Sequence, residues 1–144
     1  MCTPEPGESM NIRQVVKDCL GIPYKHGGRD ENGLDCLGLV WYFYKRLGID
    51  IPDGDGLTIE PDWYKKDPNR LKNALAKQGK PVPINELAIL DLLYFEMIEG
   101  VITHLGVLVE NDLFMHCLQG RPVGLDRLSR RFWSKKLAGA RRFV

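Results

Sequence analysis

Residues 33–48 read Gly33-Leu-Asp-Cys-Leu-Gly-Leu-Val-Trp-Tyr-Phe-Tyr-Lys-Arg-Leu-Gly48, and the rest of the chain is interpreted around them. Asp35 has a side chain that caps helices by accepting a hydrogen bond from an early backbone N–H, and Gly48 suits the position just past a helix end. The residues between them are apolar on nearly every side until Lys45, which is typical of a helix in the middle of a domain. The sequence therefore predicts a buried central helix.

Cys36 lies in the first turn of this helix. Unpaired backbone N–H groups and the helix dipole favour an anion there, so a thiolate is expected to form more easily and Cys36 is a candidate nucleophile. The alternative is a small core residue, because free cysteine is among the most buried residue types. The helix sequence by itself leaves both interpretations open.

The whole chain has the size and composition of one globular domain. It has 144 residues, of which 44% are hydrophobic and 27% charged, enough to bury a core without disulfide bonds. We find no apolar stretch long enough to span a bilayer and no secretory signal at the N-terminus, and we predict synthesis in the cytoplasm with no membrane partner. Residues 1–9, rich in Pro, Gly and Glu, are predicted to be a flexible segment before a single domain at 10–144.

The cysteines are predicted to be reduced, since those at positions 2, 19, 36 and 117 form no CxxC pair. Zinc is an alternative by ligand type for Cys36, His104, His116 and Cys117. Their spacing lacks the short knuckles of zinc sites, and neighbouring residues of a strand point to opposite faces. We therefore predict no metal and no cofactor.

Basic residues are concentrated near the end of the chain, where residues 118–144 carry eight Arg or Lys and one acidic residue. Such a segment can contact an anionic partner such as nucleic acid, wall polymer or another protein. Its apolar residues interleave with the charges as packing residues do, at Leu128, Phe132, Trp133 and Leu137. We therefore favour a solvated surface and predict no nucleic-acid partner.

Elsewhere the pattern places helices before strands. Asn11–Gln14 has the form of a capping box and predicts a helix to Leu20. Residues 53–68 read as a surface excursion with a short helix after it near 69–77, which is either a wall or lid of a cleft or a tolerated insertion. Strands are predicted at 91–96, 104–110, 113–117, 124–126 and 137–144, with a helical turn at 128–133. This order predicts an α+β fold with an antiparallel sheet.

His104 and His116 lie on consecutive predicted strands. A cysteine nucleophile needs an imidazole within hydrogen-bond reach, and that imidazole needs a third polar group to hold its ring. Because side chains alternate along strands, a two-residue loop at Asn111–Asp112 would place the two rings on opposite faces, whereas a three-residue loop or a bulge would place them on one face. A catalytic role requires the second arrangement. His26 lies in a loop and has no role that the sequence assigns.

Three separated motifs occur in a fixed order: Gly21-Ile-Pro-Tyr24 with Gly27-Gly28, then Gly33-Leu-Asp-Cys-Leu-Gly-Leu-Val40, then His104-Leu-Gly-Val with Phe114-Met-His116. This order resembles the NlpC-type cell-wall cysteine peptidases, a papain-like group whose members cut the peptide stems of bacterial peptidoglycan. The Asp-Cys-Leu-Gly-Leu form and the ending Trp133–Val144 are similar to the subgroup encoded in phage-tail and gene-transfer-agent clusters. The resemblance implies a papain-like α+β fold and an enzyme that rides on or near the tail tip.

The resemblance also implies roles for the residues of the motifs. Cys36 would be the nucleophile, His104 the base that becomes the general acid, and His116 the orienting third member. Tyr24 matches a tyrosine whose hydroxyl lies over the cysteine and assists the oxyanion together with the Cys36 backbone N–H.

Two positions bear on specificity. Asp35 matches a residue that pairs with the α-amine of the substrate in members that cut near a free stem N-terminus, and a helix cap is the equal alternative for it. Leu37 stands where many family members carry a serine that helps to bind that amine, which weakens the expectation of free-amine specificity.

The predicted function is a cysteine peptidase acting on the peptidoglycan stem peptide, with the D-glutamyl to diamino-acid bond as the expected target. The protein is expected to be associated with a phage tail or prophage and delivered to the cell wall. One alternative is a tail-tip structural or adaptor protein that keeps the fold with little activity. Another is an amidase or acyltransferase with the same catalytic residues, because fold and triad do not fix the substrate.

Overall fold

The computed structural model describes residues 11–52, 60 and 62–143. The helices in these ranges are α1 (Ile12–Cys19), α2 (Cys36–Arg46), α3 (Trp63–Lys66), α4 (Arg70–Ala76) and α5 (Arg131–Lys136), with a 3-10 turn at Ile84–Glu86. The strands are β1 (Arg29–Asp30), β2 (Gly33–Leu34), β3 (Lys80–Val82), β4 (Leu92–Phe95), β5 (His104–Glu110), β6 (Leu113–His116), β7 (Gly124–Arg127) and β8 (Leu137–Arg142).

Six of these strands form an antiparallel sheet in the order β3-β8-β4-β5-β6-β7, and β1 pairs with β2 in a separate short hairpin. Strand β5 lies inside the sheet, and every residue from His104 to Val109 is buried. Because side chains alternate, Leu105 and Val107 join the core that includes α1 and α2, whereas Leu108 joins a second core that contains Trp133 of α5.

Helix α2 is the predicted central helix. It begins after Asp35, whose Oδ1 accepts a hydrogen bond from the Gly38 N–H at 2.7 Å, and it ends before Gly48, which has a positive φ of 78°. A Cβ atom at Gly38 would lie 2.1 Å from the carbonyl oxygen of Gly28, so the loop before β1 packs directly against the helix backbone. The helix buries Leu39, Val40, Phe43 and Tyr44 and packs on β5. The predicted α+β fold is confirmed.

Several elements differ from the prediction. The β1–β2 hairpin, α3 and β3 were not predicted, and α5 begins at Arg131, inside the predicted helical turn, and continues to Lys136. The predicted flexible segment 1–9 and part of the excursion after residue 52 lie outside the described residues. The division into residues 1–9 and 10–144 therefore stays a prediction. None of the helices in the described part of the chain is long and apolar enough to cross a membrane.

Candidate active site

A cleft of about 330 Å³ opens where the N-terminus of α2 meets the start of β5. Helices α3 and α4 form one wall, and the loop between β4 and β5 contributes to another. The side chains that line the cleft are Tyr24, His26, Asp35, Cys36, Leu37, Trp63, Tyr64, Arg70, Leu71, Ala74, Met97, Ile98, Thr103, His104, Cys117, Leu118 and Gln119. Four of the five predicted site residues are in this set, and the fifth, His116, contacts His104 directly.

Cys36 is the first residue of α2, and its Sγ lies 3.9 Å from the Thr103 carbonyl oxygen. The sulfur therefore packs against the backbone on either side of His104, because the Leu105 N–H is also beside it. Burial, followed by the negative charge of Asp35, raises the pKa of the Cys36 thiol to about 12. The N–H groups of Leu37 and Leu105 act in the opposite direction and do not offset this. The expectation of an easily formed thiolate is therefore wrong, and the Cys36 thiol is protonated near pH 7.

The two predicted catalytic histidines meet on one face of the sheet. The hairpin between β5 and β6 turns at Asn111–Asp112, and a register shift leaves Val109 as an extra residue in β5. This bulge pairs His116 with Gly106, two residues from His104. His104 Nε2 consequently lies 2.9 Å from His116 Nδ1. The structure therefore has the bulged arrangement that a catalytic role requires.

A carboxylate that was not among the predicted site residues contacts His116. Asp126 lies on β7 opposite Phe114 of β6, and its Oδ2 is 2.8 Å from His116 Nε2. Arg121 Nη2 approaches the same oxygen at 3.8 Å. His104, His116 and Asp126 therefore form a hydrogen-bonded row that begins at the cleft with His104.

Aromatic rings surround the two imidazoles. The Trp133 ring centroid lies 4.7 Å from that of His116 and 5.7 Å from that of His104, and Phe95 and Phe114 also pack against the imidazoles. Burial, followed by the proximity of His116, lowers the pKa of His104 to about 3. Burial also lowers the pKa of His116, although its hydrogen bond to Asp126 opposes the shift. Both imidazoles are therefore neutral near pH 7.

The model of the NlpC/P60 family matches residues 21–142, which is most of the chain. This chain belongs to the NlpC/P60 family. The resemblance read from the motifs is thereby confirmed for the family, whereas membership of its phage-tail subgroup stays a prediction.

Named relatives and a solved structure agree with this assignment. The gamma-D-glutamyl-L-lysine dipeptidyl-peptidase of Bacillus subtilis (strain 168) is 29% identical over 96% of this chain and 42% of its own length. Murein DD-endopeptidase MepH of Escherichia coli (strain K12) is 32% identical over 87% of this chain and 42% of its own length. A crystal structure of an NlpC/P60 family protein from Bacillus cereus ATCC 10987 superposes with a TM-score of 0.73, at 25% identity over 97% of this chain and 41% of that one. The chain thus spans about two-fifths of the length of these proteins.

Tyr24 of this NlpC/P60 domain lies beside the cysteine. The residue forms a backbone bridge to Leu34, and its half-buried side chain lines the cleft. Burial, followed by the charge of Cys36, raises the pKa of the Tyr24 phenol. The hydroxyl is therefore protonated near pH 7 and available as a hydrogen-bond donor.

Asp35 has its carboxylate oxygens engaged within the protein. Oδ1 accepts hydrogen bonds from the Gly38 N–H and from Arg29 Nη1 at 2.9 Å, and Oδ2 accepts one from the Gly27 N–H at 2.8 Å. The side chain caps α2 and joins the preceding loop to it. Of the two roles considered for Asp35, the helix cap is the one that the geometry shows.

The region after the central helix forms part of the site. Trp63 and Tyr64 of α3, with Arg70 and Leu71 of α4, line the cleft, so the described residues of this region form a wall. Cys117 also lines the cleft, and its Sγ lies 3.2 Å from the Leu34 carbonyl oxygen. Within residues 11–52, 60 and 62–143, no group of three or more His, Cys, Asp or Glu side chains is arranged to hold a metal ion.

Proposed function

We propose that this chain is a cysteine peptidase that hydrolyses an amide bond of the peptidoglycan stem peptide. One observation carries the proposal: His104, whose Nε2 is held 2.9 Å from His116 Nδ1, lines the same cleft as Cys36. With Nε2 engaged in this way, Nδ1 is the nitrogen of His104 that is left to exchange a proton in the cleft.

The first half of the reaction forms a thioester. Cys36 Sγ attacks the scissile carbonyl carbon while His104 Nδ1 takes the thiol proton. The Cys36 backbone N–H and the Tyr24 hydroxyl donate to the oxygen that becomes negative in the tetrahedral intermediate. The intermediate collapses when His104 gives its proton to the leaving amine, and the C–N bond breaks.

The second half returns the enzyme to its starting state. Water attacks the thioester carbon as His104 takes one of its protons, and the C–S bond breaks when the new carboxyl group forms. The proton on His104 then returns to Cys36 Sγ. Because burial raises the pKa of the thiol and lowers the pKa of the imidazole, both groups start neutral, and the proton moves as the sulfur attacks.

The proposed bond joins D-glutamate to the diamino acid. The name of the Bacillus subtilis relative specifies a gamma-D-glutamyl-L-lysine dipeptidyl-peptidase, and the name of the Escherichia coli relative specifies a murein DD-endopeptidase. Arg70 supports a stem-peptide substrate, because it lines the cleft and arginine side chains bind carboxylates, which stem peptides carry. The contact between Arg29 and Asp35 supports a substrate that does not need a free α-amine at Asp35, since the carboxylate is already paired.

Association with a phage tail and delivery to the wall are part of the same proposal. Their support is the form of the sequence at Asp35–Leu39 and at the C-terminal segment. The competing role is a tail-tip adaptor with the same fold and little activity, which Leu37 and the basic residues after position 118 favour. Incubation with purified wall fragments separates the two, because an adaptor leaves them intact and co-purifies with tail proteins.

The test is to incubate the protein with defined muropeptides and to weigh the products. We expect a disaccharide carrying L-Ala-D-Glu and a second fragment that begins at the diamino acid. Protein alkylated at Cys36 is the blank. Cleavage between the sugar and L-Ala would identify an amidase, and transfer to an added amine would identify an acyltransferase. An intact substrate at high enzyme concentration would contradict the peptidase proposal.

A further inference from the structure

We infer that Asp126 is a positioning residue that fixes the tautomers of His116 and His104, so that Nδ1 of His104 carries a lone pair toward the cleft. This inference rests on the proposed function, because it names the group that prepares the proposed base. Asp126 itself does not line the cleft and acts through His116.

Asp126 determines which nitrogen of His116 carries the hydrogen. An ionised carboxylate accepts hydrogen bonds and donates none. The 2.8 Å contact between Asp126 Oδ2 and His116 Nε2 therefore places a hydrogen on Nε2. A neutral imidazole has one N–H, so Nδ1 of His116 is an acceptor.

His116 in turn determines which nitrogen of His104 carries the hydrogen. Its Nε2 lies 2.9 Å from the acceptor Nδ1 of His116, so Nε2 of His104 must donate. Nδ1 of the neutral His104 ring then has a lone pair and no hydrogen. The thiol of Cys36 needs an acceptor of this kind. The opposite tautomers would place a hydrogen on Nδ1 of His104 and block the proposed proton transfer.

The surroundings hold the row in place and keep water away from it. Strand β6 pairs with β7 so that His116 lies opposite Gly124 and Asp126 falls on the same face two residues later. The His116 side chain is 2% exposed and the Asp126 side chain 16% exposed. Trp133 packs on both imidazoles. With little water available, Asp126 is the neighbour that decides which nitrogen of His116 bears the hydrogen.

The conservative variant is Asp126→Asn. An amide both donates and accepts, so it permits either tautomer of His116 where the carboxylate permits one. We expect a mixture of tautomers on both rings and a fall in kcat of about ten- to a hundredfold, with KM nearly unchanged. Asp112→Asn is the matched control, since Asp112 accepts hydrogen bonds from the backbone N–H and hydroxyl of Ser129 and makes no contact with the histidines.

The experiment is a long-range ¹H–¹⁵N NMR spectrum of the full chain labelled with [¹⁵N]histidine, together with kcat and KM on a muropeptide. The chain has three histidines, and His26 serves as the internal reference. In the wild type we expect hydrogen on Nε2 of both His104 and His116. In Asp126→Asn both assignments should become mixed, whereas Asp112→Asn should give the wild-type spectrum and kcat.

Two results would overturn the inference. One is a spectrum of the wild-type protein alone that shows hydrogen on Nδ1 of His104 or His116. The other is an Asp126→Asn spectrum and kcat equal to those of the wild type. The expected spectra from a protein that cleaves no muropeptide would support the tautomer assignment and contradict the proposed function, so the two failures are distinguishable.

Discussion

His104 Nε2 and His116 Nδ1 lie 2.9 Å apart across a hairpin whose two-residue turn would by itself put them on opposite faces. The extra residue Val109 shifts the register by one and brings the second ring to the same face as the first. The proposed catalytic row therefore depends on a bulge at Val109, which lies five residues after His104 in β5. Local irregularities of this kind commonly aim side chains in active sites.

The substitution His104→Gln tests the proposed base. Glutamine keeps a polar side chain and cannot exchange the thiol proton at neutral pH, so kcat/KM on a muropeptide should fall about 10²- to 10⁴-fold. His26→Gln is the matched control, because His26 also lines the cleft and has no place in the row. Wild-type turnover by His104→Gln would exclude the role assigned to this residue.

The substitution Asp35→Asn should have two separable effects. Loss of the charged cap and of the contact with Arg29 should lower the free energy of unfolding by about 1–2 kcal/mol. The negative charge of Asp35 helps to raise the pKa of Cys36, so its removal should lower that pKa and speed alkylation by iodoacetamide at pH 8. Denaturant titration and mass spectrometry measure the two effects.

Asn11→Ala is the control for Asp35→Asn. Asn11 caps α1, where its side chain accepts a hydrogen bond from the Gln14 N–H at 3.1 Å. Its loss should destabilise the fold by a similar amount and leave the alkylation rate of Cys36 unchanged. Slower or equal alkylation in Asp35→Asn would contradict the claim that this carboxylate raises the pKa of the Cys36 thiol.

The substitution Arg70→Gln tests the wall of the cleft. If the guanidinium binds a substrate carboxylate, its loss should raise KM on a muropeptide by about ten- to a hundredfold and change kcat less. Lys72→Gln removes an exposed cation from the same helix without touching the cleft and should leave KM unchanged. Equal KM values for the two variants would mean that Arg70 does not bind a carboxylate of the substrate.

Acidification should destabilise the fold through the two buried histidines. Burial lowers the pKa of both, and that of His104 falls to about 3. Above pH 6.5 the rings are neutral in both the folded and the unfolded state, so they do not make the free energy of unfolding depend on pH. Below it the unfolded chain binds protons that the folded chain does not, so the free energy of unfolding should fall by up to about 1.4 kcal/mol per pH unit for each histidine. Urea titrations at pH 7, 6 and 5 measure this slope.

The double variant His104→Gln/His116→Gln is the control for this pH series. The double variant lacks the two rings and should show a flatter dependence between pH 7 and pH 5, whatever its absolute stability. The same slope in both proteins would mean that the buried imidazoles take up protons in the folded state.

Local chemistry explains what the sequence predicted well. The cap at Asp35, the apolar helix behind it and the glycine at Gly48 are signals within a few residues of one another, and they gave the position of α2. The uninterrupted run at His104–Glu110 gave the bounds of β5. Each of these depends on residues close in the chain.

The features that the sequence did not predict depend on contacts between distant residues. Asp126 contacts His116 only because β6 and β7 pair in one register, and no motif marks that register. The raised pKa of Cys36 results from burial in the folded chain, which outweighs the helix terminus that the sequence makes visible. One signal could have indicated Asp126: it is the only acidic residue on the strand predicted after His116, two residues from Gly124 and so on the same face of that strand.

The most direct test of Cys36 as the nucleophile compares Cys36→Ala with Cys117→Ala on one muropeptide. Both cysteines line the cleft, and the Cys117 thiol donates to the Leu34 carbonyl oxygen at 3.2 Å. We expect no measurable turnover by Cys36→Ala, with a folded protein by circular dichroism, and turnover by Cys117→Ala close to that of the wild type. Turnover that persists in folded Cys36→Ala would contradict the role of Cys36 as the nucleophile.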